Sequence, residues 1–132
     1  MKKEDIATLI QYRIAEARSA LKDADCLVQG QGSPQGIVNR LYYAMFYAAL
    51  ALMQKIGKIP SKHTGVIGLF DSEFVLKGTF PKEMSKYFHR AFELRQTSDY
   101  KVMKPISTDQ LEEIRQQASA FVENVTRYLN TG

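Results

Sequence analysis

The chain has little of several things. It holds one cysteine, two histidines and no tryptophan among 132 residues. A lone cysteine, Cys26, excludes an internal disulfide and favours a reducing compartment. One cysteine and two separated histidines make no zinc signature. No Glu-x-x-His occurs, so the di-iron pattern of helical bundles is missing. No metal or cofactor is expected. "GQGSPQG" lacks the lysine and the preceding strand of a phosphate-cradling loop, and reads as a plain loop. No nucleophile-elbow motif supports a Ser-His-Asp set. The longest apolar run, Leu41–Met53, has 13 residues, too short to span a bilayer. Met1–Asp5 is charged and no apolar stretch follows, so nothing reads as a signal peptide. There is no internal repeat. These absences lead to the expectation of a cytoplasmic, single-domain protein over residues 1–132, with no membrane association.

What is present is helical periodicity. Residues 4–29 carry a stripe of Ile6, Leu9, Ile10, Ile14, Ala17, Leu21, Ala24, Leu27 and Val28 at three- and four-residue steps. Gly30 and Gly32 stop it. Ser33 and Pro34 then open a second helix, to about Ile56, as N-cap and first-turn residue. From Ile37 to Met53 only Asn39 and Arg40 are not apolar, so this helix should be central and buried on most sides. Its hydroxyls at Tyr42, Tyr43 and Tyr47 need partners if buried. Gly57 ends it. Ser61 can cap a third helix, about 62–77, with Val66, Leu69, Phe70 and Phe74 on one side. Pro81 suits the first turn of a fourth, about 81–98. Ser107 and Gln110 form a capping box for a fifth, about 108–130. Nothing alternates as a strand. Short connections favour antiparallel neighbours, hence an all-α, up-and-down bundle of about five helices.

The net charge is +4. The excess lies in the middle: residues 54–104 hold ten basic and five acidic groups. A solvated basic face explains this, and so does affinity for nucleic acid. The fourth helix carries the sharper signal. At 100° per residue, with Met84 at zero, Phe88 falls at about 40°, Ala91 at about 340° and Phe92 at about 80°. Arg95 and Asp99 fall at about 20° and 60°, within that apolar arc. They are four residues apart and so neighbours on the helix surface. Two readings stand: a structural ion pair, or an anion site built on the planar, permanently charged guanidinium. Arg13 and Arg40 lean inward on the first two helices, which suggests a polar cleft or a second chain. His89 lies on the polar face of the fourth helix. It is a weaker candidate for phosphoryl transfer.

Three stretches, "NRLYYAMFYAALALM", "HTGVIGLF" and "LRQTSDY", resemble the small prokaryotic HEPN-domain proteins in order and spacing. The resemblance implies a helical bundle, a homodimer and a minimal nucleotidyltransferase partner, often as a toxin–antitoxin pair. Many HEPN proteins are metal-independent ribonucleases. Their motif is an Arg followed after four to six residues by a His that transfers protons. Here those positions hold Tyr100, Lys101 and Val102. The Arg is matched and the His is not, which favours a binding subunit over a nuclease. The binding set this implies is Arg95, Asp99, Tyr100, Arg40, Tyr43 and His63, contacting a nucleotide or RNA phosphate. Tyr100 is also a candidate target for modification by the nucleotidyltransferase. In the alternative, an endoribonuclease, Arg95 and Tyr100 would be the catalytic pair, with His63 a further proton-transfer candidate.

Overall fold

The computed structural model describes residues 2–100 and 105–131; the side chains of residues 98–100 lie outside this set. Five α-helices follow in order: α1 (Lys3–Gln29), α2 (Pro34–Ile56), α3 (His63–Phe70), α4 (Lys82–Tyr100) and α5 (Thr108–Thr131). There is no strand among the described residues. The architecture is the expected all-α bundle.

Local chemistry sets the boundaries. The Ser33 hydroxyl accepts from the Gly36 N–H at 3.1 Å and Pro34 fills the first turn of α2. Ser107 and Gln110 exchange the two bonds of a capping box, at 3.0 and 3.1 Å. Two helices end in the same Schellman arrangement. In α2 the left-handed residue is Gly57 (φ 73°), and Lys58 N–H reaches back to Met53. In α1 it is Gln31 (φ 57°), not a glycine, and Gly32 N–H reaches Leu27. Ser61 does not cap α3. The residue before that helix is Lys62, and no side chain caps it. The third helix is also not uniform. After Phe70 the chain widens into one π-helical turn, Asp71–Val75.

α2 is the axis of the molecule and packs against α1, α3, α4 and α5. By length and composition it could cross a membrane, yet most of it from Ile37 to Gln54 is buried by its neighbours. α1 and α2 pack together, and both bury small residues: Ala17, Ala20 and Ala24 on α1, and Ala44, Ala48, Ala49 and Ala51 on α2. Ile14 is buried with them, the other larger members of the α1 stripe are partly exposed, and Val28 is exposed. On the other side, Phe70, Phe88 and Phe121 bring α3, α4 and α5 to one point, with ring centres 5.1–5.8 Å apart. All three are fully buried. Such aromatic groups bury large areas and fix geometry by edge and offset contacts.

Candidate functional site

The site grows from the first half of α2. Tyr42, Tyr43, Phe46 and Tyr47 fall at successive and four-residue steps, so they form a continuous aromatic ridge. Tyr42 is wholly buried. Its hydroxyl meets His63 Nδ1 at 2.8 Å. That satisfies the demand for a partner which burial of a phenol creates. The His63 ring stacks on Phe46, with centroids 4.3 Å apart and planes 14° from parallel. The first residue of α3 is thereby locked onto α2.

Arg95 comes from the C-terminal half of α4. It extends the arc of Met84, Phe88 and Ala91, all buried. It is itself half-buried. Its guanidinium lies over two rings of the ridge, 5.5 Å from the centre of Tyr42 and 5.3 Å from that of Tyr43. Arg40, on α2 itself, lies over Tyr43 as well, at 5.3 Å. Asn39 Oδ1 accepts from its Nε and Nη2 at 3.1 and 2.9 Å, and Asp23 is 4.0 Å away. Cation–π contact holds a guanidinium against a ring, and for Arg40 the Asn39 contact fixes its edge as well. Arg13, on α1, lies instead over Tyr12, 5.8 Å from its ring centre. Glu16 accepts from Arg13 at 2.7 Å. Of the three arginines expected to lean inward, Arg40 and Arg95 lie on the aromatic ridge.

The local field follows from this packing. Burial pushes the Tyr42 phenol far up, against the opposing pull of Arg95, so the group stays protonated. Burial lowers the His63 pKa, and the Arg95 charge lowers it further. His63 is then largely neutral at pH 7. With Nδ1 accepting from Tyr42, Nε2 keeps its proton and can donate to a phosphate. In the other tautomer Nε2 has the lone pair of a general base. Burial also raises the Tyr47 phenol, helped by Glu16.

Of the residues expected from sequence, Arg95, Arg40, Tyr43 and His63 converge on one face. Asp99 and Tyr100 end α4, but their side chains lie outside the described residues. Two contributors were not assigned to the site from sequence, Tyr42 and Phe46. The signal for Tyr42 was a phenol on a helix apolar on every side. Phe46, four residues on, shares its face. His89 lies elsewhere on α4, and its Nε2 is 2.6 Å from Asp71 on the π-helical turn. Among the described residues, no group of three or more His, Cys, Asp or Glu is placed to hold a metal ion.

Comparison with known proteins gives a consistent result. The chain is 34% identical over 121 residues to a UPF0332 protein of Thermotoga maritima, covering 92% of this chain and 91% of that one. It is 32% identical over 126 residues to a Methanocaldococcus jannaschii protein named "Putative toxin MJ0605", covering 96% and 92%. A UPF0332 protein of Archaeoglobus fulgidus is 31% identical over 121 residues, covering 92% and 95%. The HEPN domain family matches residues 10–128. That span takes in the aromatic ridge, His63 and Arg95, and the chain belongs to the HEPN domain family.

Proposed function

We propose that this protein is a toxin-like HEPN subunit that binds RNA or nucleotide phosphate on the Arg40–Tyr43–Arg95 face. It acts as a homodimer and pairs with a minimal nucleotidyltransferase. The observation that carries the reading is the convergence of two guanidinium groups on the Tyr43 ring, each 5.3 Å from its centre. Two cations held on one aromatic surface suit a phosphate anion, for which Arg40 would exchange its contact with Asn39. The name of the Methanocaldococcus relative supports the toxin-like part. Family resemblance alone supports the dimer and the nucleotidyltransferase. Copurification with a coexpressed nucleotidyltransferase tests that pairing, and transfer of a nucleotide to Tyr100 would appear in the intact mass.

The phosphate site is tested by RNA binding. A charge-assisted hydrogen bond contributes about 1.5–3 kcal/mol, so Arg95→Ala and Arg40→Ala should each weaken binding roughly 10- to 100-fold. Unchanged affinity in both variants would refute the site. A second reading is a metal-independent endoribonuclease. It is favoured by one contact, His63 joined to Tyr42 beneath the Arg95 guanidinium. Here Arg95 steadies the phosphate and His63 moves the proton. Cleavage in EDTA that vanishes in both Arg95→Ala and His63→Gln would select this reading. No cleavage by folded protein would select the binding subunit.

A further inference from the structure

A groove between α3 and α4 adjoins the arginine site. Its volume is about 380 Å³, within the roughly 300–1,000 Å³ of small-ligand pockets. Ile67 and Phe92 give it apolar surface, and Thr64, His89, Glu93 and Gln96 give it polar edges. Phe92 joins it to the site, and two of its polar residues are chain neighbours of site residues. Thr64 follows His63 in the chain, Gln96 follows Arg95, and the Phe92 ring is 5.7 Å from Tyr42. A ligand with its phosphate at Arg95 therefore has its neighbouring group beside this groove. In a nucleotide that group is flat, apolar on its faces and polar on its edge. Proteins read such unstacked bases by aromatic contact and edge hydrogen bonds.

The polar edge has a bias. The Glu93 carboxylate only accepts hydrogen bonds. His89 Nε2 lies 2.6 Å from the Asp71 carboxylate, which also only accepts. The Gln96 amide both donates and accepts. The Thr64 hydroxyl does the same, so the Glu93 carboxylate adds an acceptor that no donor balances, and the groove favours a base that presents amino hydrogens. We propose that it receives an amino-bearing base, such as adenine or cytosine, of single-stranded RNA and discriminates against uracil. This inference rests on the phosphate-binding reading of Arg95.

The test is fluorescence anisotropy with short labelled oligo(A), oligo(C) and oligo(U). Wild type should bind the first two about tenfold more tightly than the third. Gln96→Ala and Glu93→Gln should bring that ratio close to one. Both side chains are exposed, so folding is not at stake, and reading the ratio removes the effect of the lost charge. Arg95→Ala should weaken all three alike. Equal affinities in wild type, with dependence on Arg95 intact, would overturn the base groove and leave the phosphate site standing. Loss of Arg95-dependent binding to every oligonucleotide would overturn both. AMP and CMP binding as tightly as the oligonucleotides would assign the groove to a free nucleotide and overturn RNA as its ligand.

Discussion

His63 shows how one residue ties the site to stability. Its ring is held by Phe46 and Tyr42 while burial and Arg95 disfavour its charged form. Its folded pKa is thus below the unfolded value near 6.5. The unfolded chain then binds the proton more readily, so stability rises with pH through this range. The contribution is complete above about pH 6.5 and is lost as pH falls toward the folded pKa. Urea midpoints measured from pH 8 to pH 5 should decline below about 6.5 in wild type. They should decline less in His63→Gln, and parallel profiles would exclude His63 as the cause. Arg95 illustrates the opposite use of burial. A guanidinium stays charged when half-buried, and ring contact replaces part of its lost hydration.

At the scale of elements, the helix ends are set by backbone chemistry that can be tested directly. Gly57 closes α2 at φ 73°, and a Cβ built there meets nothing within 4 Å. The cost of Gly57→Ala is therefore conformational, about 1 kcal/mol for forcing a left-handed residue. Gly68 lies inside α3, and a Cβ there also meets nothing within 4 Å. It has ordinary helical backbone, so Gly68→Ala should stabilise by roughly 0.5–1 kcal/mol. Denaturation of the two variants should show opposite signs. The helix boundaries followed closely from capping signals at Ser33, Ser107 and Gly57, because those interactions are local. The π-helical turn at Asp71–Val75 did not. An inserted residue changes no composition signal, and it is stabilised by packing of the turn against α3 and α4.

Across the whole molecule, stability centres on the meeting of Phe70, Phe88 and Phe121. Each helix brings one ring, so truncating one opens a cavity that touches three elements. Phe88→Ala should cost about 3–5 kcal/mol, and thermal unfolding should begin about 10 °C lower or more. A loss of less than about 1 kcal/mol would mean that the neighbours collapse into the space. The basic excess of residues 54–104 is partly spent locally. Glu73 binds both Lys77 and Lys58, and hydrogen bonds from Lys77 first and Lys58 second hold its carboxyl down to about 2. Arg90 meets Glu113 at 2.8 Å. The count of basic residues along the chain therefore overstates the charge available to a polyanion, and the arginines of the ridge are the better guide.

The sequence by itself determined the all-α bundle, the central place of α2 and the candidacy of Arg95, Arg40, Tyr43 and His63. The bundle and the place of α2 depend on periodicity and capping, which act over a few residues; Arg95 and Arg40 stand out by residue chemistry, and Tyr43 and His63 by the family resemblance. Only the tertiary structure decided which of them meet. The Tyr42–His63 contact spans 21 positions, and the Arg95–Tyr43 contact joins two helices. Such pairings depend on how the helices rotate as their apolar faces close. The small alanines of α1 and α2, and the three phenylalanines opposite them, set that rotation. It turns the tyrosine ridge toward α4 and brings Arg95 over it.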